Sequence, residues 1–222
     1  MPHRARPTFD NLPKPKQEAI ILVALEEFSR HGYRQASLNT IVRRLGIAKG
    51  SIFQYFKGKD GLFLFLFNMA LERVKDHLRQ VRDETAAHDF FQRLRATLRS
   101  GVRFINAHPL FYRLYLRVMF EAGMPYRAEL LTALRRASHE FLREMIDEGR
   151  ARGDLLQDLD PDLGAFVLDA VMDRFLQAQC EAHLDAGLGL YGIDHGTAEK
   201  WIDGLVGIFR TGMALPGRTP DP

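Results

Sequence analysis

Cysteine is almost absent: Cys180 is the one thiol in 222 residues. An intrachain disulfide needs two thiols and a cysteine-based zinc cluster needs more, so both are excluded. A chain that does without disulfides suits a reducing compartment, and the cytoplasm is the expected location. Long hydrophobic runs are missing as well. The greasiest stretch, Leu62 to Leu71, is about half of the roughly 20 residues a membrane span needs. The polar, proline-bearing start, Met1 to Pro15, carries no apolar run of the secretory-signal kind. No membrane association is expected.

Catalytic and metal-binding patterns are lacking too. The eight histidines (3, 31, 77, 88, 108, 139, 183 and 195) form no HExxH or other paired-ligand spacing. Glu181 and His183 share neither a helix face nor a loop motif, which leaves a metal site there a poor reading. Cys180 has no nearby basic group to lower its pKa, so an inert thiol is expected rather than a nucleophile or redox switch. No phosphate loop or dinucleotide fingerprint is present. No cofactor, metal or catalytic residue is expected, and an enzyme is the weaker alternative.

What the chain does have is apolar residues, 46% of the total, and an uneven charge. Residues 1–60 carry a net +6 while the remainder carries −3. A basic module on an acidic body suits contact with a polyanion. Apolar residues recur at helical spacing throughout, and no alternating β-branched run reads as a strand. The spacing predicts nine helices, near 14–31, 38–45, 48–55, 59–82, 88–107, 109–122, 125–151, 161–185 and 196–214. Their stops are Gly32, Gly46, Pro109, Gly123 ahead of Pro125, Gly153, and the glycines of 187–192. Ser37 stands as an N-cap, and Asp160-Pro161 is a strong helix start. The fold class is all-α. Residues 1–13 read as a flexible arm, 14–67 and 68–215 as two domains, and 216–222 as a tail.

Residues 38–56 hold two short helices joined by a tight turn at Gly46. So short a turn forces a steep crossing, and the second helix can then protrude into a major groove. Ile52, Phe53 and Phe56 read as its buried anchors. Lys49, Ser51, Gln54 and Tyr55 are left over, donors and acceptors suited to phosphates and base edges.

Three pieces of the chain carry a resemblance: VALEEFSRHGY (23–33), the start Ser37-Leu38-x-x-Ile41-Val42, and GIAKGSIFQYFKGKDGLF (46–63). From Gln17 to Phe67 the chain resembles the N-terminal domain of the TetR/AcrR regulators. The resemblance implies a helix-turn-helix DNA-binding domain followed by a helical bundle for ligand binding and dimerisation. It implies a recognition helix at Lys49–Tyr55, with Gly50 inside it. Ser51 and Gln54 would reach bases or nearby phosphates, and Tyr55 a phosphate. Lys59 would meet a phosphate together with backbone N–H groups. Asn39, Thr40, Arg43 and Arg44 would contact the DNA backbone. Arg4, Arg6, Lys14 and Lys16 form a basic arm that would lie in a minor groove or stay disordered. Two positions depart from the pattern. Ala48 replaces the usual Ser or Thr, a lost cap costing roughly 1 kcal/mol, and Gly58 replaces Ser or Asn.

Helix 109–122 is apolar almost all round, with Arg113, Arg117 and Glu121 on one stripe, so it should be buried on most sides. With 88–107 and 125–151 it is expected to enclose either a filled core or an apolar ligand cavity. Phe104, Phe111, Tyr115, Met119 and Phe141 are the lining candidates, for a hydrophobic or amphipathic effector. Arg103 or Arg113 would pair with an effector carboxylate, although Arg95, Arg99 and Arg103 also read as a solvated stripe. Phe166, Val167, Ala170 and Val171 with Trp201, Leu205, Ile208 and Phe209 are expected to form a homodimer interface, which would space two recognition helices for a palindromic double-stranded operator. Effector binding would then release a repressor, given a coupling of about 1–3 kcal/mol. A non-specific structural DNA-binding protein is disfavoured by the large acidic, apolar C-terminal part.

Overall fold

The ends of the helices follow from local chemistry. In this computed structural model, which describes residues 5–213 (the last by backbone alone), ten α-helices and one 3-10 turn run in order. They are α1 (Pro7–Asp10), α2 (Lys14–Gln35), α3 (Leu38–Leu45), α4 (Lys49–Phe56), α5 (Lys59–Glu84), α6 (Phe90–Ala107), α7 (Pro109–Phe120), α8 (Arg127–Ala151), α9 (Pro161–Cys180) and α10 (His195–Met213), with the 3-10 turn at Ala182–Leu184. No β-strand occurs among the described residues. Arg4 of the expected arm, and the expected tail 216–222, lie outside the described residues.

Two compact units divide the chain. One takes residues through Val74 together with His108–Ala133; the other takes Lys75–Ala107 and the chain from Leu134 onward. The boundary therefore differs from a simple cut after residue 67, because α7 and the start of α8 return to the first unit.

The first unit is built around aromatic rings. Phe9, Phe28 and Phe63 are at most 2% exposed, packed with Ile20, Ile41, Ile52, Leu62, Leu66 and Leu114. Each such burial removes apolar surface worth roughly 1.5–3 kcal/mol from water. Residues 7–10 correct the expectation of an arm. Proline at the first helical position starts α1, and Phe9 drops its ring onto Phe56 (centroids 4.8 Å) and Phe65 (5.4 Å). At the far end of α2, Gly32 leaves helical geometry at φ 67°, ψ 179°, so the chain turns before α3.

The second unit rests mainly on aliphatic side chains from α6, the later part of α8, α9 and α10, with Phe90, Phe91, Phe175 and Phe209 among them. Leu94, Leu98, Ile146, Leu168 and Ile202 are essentially inaccessible. Asp160 caps α9 as expected: its Oδ1 accepts from the N–H groups of Asp162 (2.8 Å) and Leu163 (3.0 Å). Ion pairs join its helices. Arg95 meets Asp203 at 3.0 Å, Arg99 donates to Glu199 at 2.6 Å, and Arg135 reaches Asp169 at 3.0 Å.

Candidate nucleic-acid interface

The helix-turn-helix is assembled by caps. Ser37 Oγ accepts from Thr40 N–H at 3.4 Å, while Ser37 N–H donates to the buried Glu27 carboxylate at 2.9 Å. These two bonds set where α3 begins and tie it to α2. Gly46 closes α3 in the left-handed region at φ 63°, a conformation that costs other residues energy. Three residues later α4 starts at Lys49, with Ala48 supplying no side-chain cap. At the other end, Gly61 of α5 lies against α4 so closely that a Cβ would fall 1.6 Å from Phe56 O. Only glycine permits that approach.

The expected contact residues divide into three groups. Asn39, Arg43, Lys49, Gly50 and Gln54 are exposed, and Thr40 and Ser51 are half-buried. Arg44 is exposed but ion-paired with Glu26. Lys59 is half-buried, donates to Arg34 O at 3.0 Å, and lies 4.9 Å from the Tyr33 ring centroid. Tyr55 needs correction. Its ring is buried, edge-on to Phe9 at 6.0 Å and to Phe56 at 6.1 Å, so it is a packing residue and not a left-over polar one. Phe53, expected in the core, is 49% exposed. The outward face of α4 is therefore Lys49, Gly50, Phe53 and Gln54, with Lys57 exposed at its C-cap.

The α1 segment braces that helix. Arg6 N–H donates to Tyr55 O at 3.0 Å and Thr8 Oγ1 to Gln54 O at 3.2 Å. These bonds satisfy carbonyls of the last turn of α4. No motif in the sequence signalled this role; the only hint is an aromatic, Phe9, inside a polar tract.

The end of α7 is wired to the end of α2. Arg117 donates to Ser29 O (3.1 Å) and Arg30 O (2.7 Å). The Glu121 carboxylate accepts from Tyr33 N–H (3.2 Å) and Arg34 N–H (3.3 Å), just past the Gly32 turn. Arg34 in turn donates to Gly123 O at 3.2 Å. Nearby, the Tyr33 hydroxyl donates to Asp60. Burial, first, and that carboxylate raise the Tyr33 pKa far above its ordinary value.

The expected effector-lining residues fall in both units. Phe111 is buried on α7 under the Arg73 guanidinium, 4.5 Å from its ring, with Tyr115 and Met119 half-buried on the same helix. Phe104 and Phe141 belong to the second unit, where Phe104 lies 5.7 Å from the His77 ring. None of the five lines the groove of about 480 Å³ that α6 and α10 form with Arg99, Arg103, Asn106, His195, Glu199 and Asp203.

The expected interface residues are mostly outward. Phe166 (67% exposed), Val167, Ala170 and Ile208 (68%) face away from the core, with Leu163 beside them on α9; Val171, Trp201 and Leu205 are half-buried. Phe209 is the exception. It turns inward to the second unit's own core.

Similarity agrees with this architecture. The model for bacterial regulatory proteins of the tetR family matches residues 20–66, and that for the tetracyclin repressor-like C-terminal domain matches residues 88–213, more than half of the chain. The chain belongs to the TetR family of bacterial transcriptional regulators, helix-turn-helix DNA-binding proteins rather than enzymes. A TetR family regulator from Chloroflexus aurantiacus is 30% identical, with a TM-score of 0.72 covering 96% of this chain and 99% of that one. The probable acrEF/envCD operon repressor of Escherichia coli K12 is 27% identical over 171 residues, 74% of this chain and 75% of the repressor. FadR from Bacillus subtilis, solved in complex with stearoyl-CoA, shares the fold at a TM-score of 0.69, covering 88% of this chain and 98% of FadR, but only 16% identity. No described helix is long and apolar enough to cross a membrane.

Proposed function

We propose that this regulator is a homodimeric repressor that leaves a palindromic operator when a hydrophobic or amphipathic small molecule binds. The observation that carries the reading is the wiring of α7 to α2. The helix bearing Phe111, Tyr115 and Met119 also carries Arg117 and Glu121, which grip four backbone groups of α2 beside the helix-turn-helix. An effector that shifts α7 pulls on the end of α2 and on the start of α3. A coupling of about 1–3 kcal/mol is enough for a useful switch. The FadR complex with stearoyl-CoA supports an acyl-chain effector class, by likeness of fold.

Asn39, Thr40, Arg43, Lys49, Gly50, Ser51 and Gln54 make up the proposed DNA surface. Arg44 and Lys59 reach phosphates only by exchanging their present partners, and Tyr55 serves by holding α4 in place. Leu163, Phe166, Val167, Ala170 and Ile208, with the partly covered Val171, Trp201 and Leu205, form the proposed dimer surface. Two such copies would place their recognition helices about one DNA turn, or a multiple of it, apart.

The test is a titration of operator DNA, taken upstream of the protein's own coding region, at fixed salt. Tight binding that weakens with salt is expected, with Lys49→Gln lowering the salt slope by about 1. Oleate and stearoyl-CoA serve as effector probes, and one of them is expected to weaken binding at least fivefold. Arg117→Gln should keep operator binding and lose that response. Operator affinity indifferent to both probes refutes the acyl effector class; salt-insensitive binding refutes the interface.

A further inference from the structure

We infer that Phe53 is a base-reading residue, packing against the C5-methyl group of a thymine in the major groove. This rests on α4 being the recognition helix and adds the chemistry that helix selects. The chain gives two independent observations. The first is an aromatic side chain left 49% exposed on an eight-residue helix whose other aromatics, Tyr55 and Phe56, are buried. Gly58 lies against its ring, where a Cβ would stand 3.3 Å from it. The second is Gly50, one turn away. Nothing lies within 4 Å of where its Cβ would be, so the chain's own packing does not require glycine there.

Residues 50, 53 and 54 follow i, i+3 and i+4 spacing and so share one helix face, and Lys57 follows as the C-cap, in the left-handed region at φ 65°. That face has a bare spot at Gly50, an apolar ring at Phe53 and an amide at Gln54, with an exposed cation just past its end at Lys57. The bare spot lets another surface approach the backbone closely. Of the groups exposed in the major groove, only the thymine methyl is apolar, and an aromatic ring gains by covering it. Gln54 beside it matches adenine, which takes a bidentate amide at N6 and N7. The lysines at either end, Lys49 and Lys57, fit the flanking phosphates.

Sites are first selected by the full-length protein from a random duplex pool, and each thymine of the enriched site is then replaced by deoxyuridine, which removes only the methyl. Wild type is expected to lose about three- to tenfold in affinity at one thymine of each half-site, the size of one buried methyl or somewhat more. Phe53→Ala is expected to bind thymine and uracil sites alike with an unchanged salt slope, and Phe53→Leu to keep part of the discrimination. Phe53 is half exposed, so both variants should retain the wild-type helical circular dichroism. Gly50→Ala is expected to weaken operator binding without lowering the melting temperature. Wild-type indifference to uracil at every position, with salt-sensitive specific binding intact, overturns this inference and leaves the proposed function standing. So does methyl discrimination that survives in Phe53→Ala. Failure to enrich any site overturns both.

Discussion

The two units solve the same problem with different materials. The first, which carries the helix-turn-helix, packs rings on rings: Phe9 on Phe56 and Phe65, Phe28 on Phe63 at 5.2 Å, Tyr33 on Phe63 at 5.2 Å. Its outer surface at α3 and α4 is largely cationic or amide. The second packs mainly aliphatic side chains around four phenylalanines, Phe90, Phe91, Phe175 and Phe209, and stitches α6 to α10 and α8 to α9 with arginine–carboxylate pairs. Its outward side on α9 is largely apolar at Leu163, Phe166, Val167 and Ala170, and α10 exposes Ile208. The contrast suits two different proposed partners. The proposed DNA surface buries Tyr55 and Phe56 and leaves one ring, Phe53, outside among amide and cationic side chains, whereas the proposed dimer surface leaves Phe166 and Ile208 in water.

Core truncation should show the contrast most strongly. Phe63→Ala removes a fully buried ring from the first unit and should cost about 3–5 kcal/mol, against about 2–5 for Leu98→Ala in the second, measured by urea unfolding. Only Phe63→Ala should also lower operator affinity at temperatures where the second unit is still folded. Equal losses of DNA binding from both would remove the distinction.

Next in size is the proposed dimer surface. Phe166→Glu with Ile208→Glu should shift the protein from dimer to monomer in sedimentation while the helical circular dichroism stays as it is. Those side chains contribute little to the core of their own chain. Phe209→Ala is the control: it lies inside, so it should lower stability before it alters assembly.

The Glu27 clamp comes third. Glu27→Ala leaves Ser37 N–H without its carboxylate and should destabilise the first unit by about 1–3 kcal/mol. The exposed pair in the second unit, tested by Arg95→Gln, should change stability by about 0–1 kcal/mol and by less still at high salt.

The smallest effects are those of pH, and they fall at opposite ends of the scale. Tyr33, held neutral by burial and by Asp60, has a raised pKa. Its contribution is complete below the ordinary tyrosine value of 10.0 and is lost as pH rises toward the folded value. Ultraviolet titration should find one tyrosine still protonated well past pH 10.0. Asp194 is lowered by hydrogen bonds from the Thr197 hydroxyl and N–H. Its contribution is present above 3.8 and disappears as pH falls through the lower folded value, so the melting temperatures of wild type and Asp194→Asn should converge in that range.

Much of the chain was legible before any coordinates. Lys14, Leu38–Leu45, Pro109 and Asp160-Pro161 all mark helix ends where expected, because proline, capping side chains and left-handed glycine act through the adjacent backbone alone. What could not be read was the rotation of short helices. In α4 three aromatics, at 53, 55 and 56, compete to face inward within two turns, and periodicity over eight residues cannot rank them. Phe9 decides: arriving from α1, it covers Tyr55 and Phe56 and leaves Phe53 outside. That α1 exists was itself hidden, since four residues give no period. Phe209 was misplaced for a related reason, α10 carrying apolar residues on more than one face.

The amino-acid order alone determined the all-helical class, the helix ends and the basic sign of the first sixty residues. These are consequences of neighbours a few positions apart and of formal charge. Only tertiary packing decided which aromatic of α4 meets solvent, that the end of α7 grips the end of α2, and which apolar residues of α9 and α10 stay uncovered. Each of those depends on side chains brought together from distant parts of the chain, where competition for a limited interior selects one arrangement among several of similar local energy.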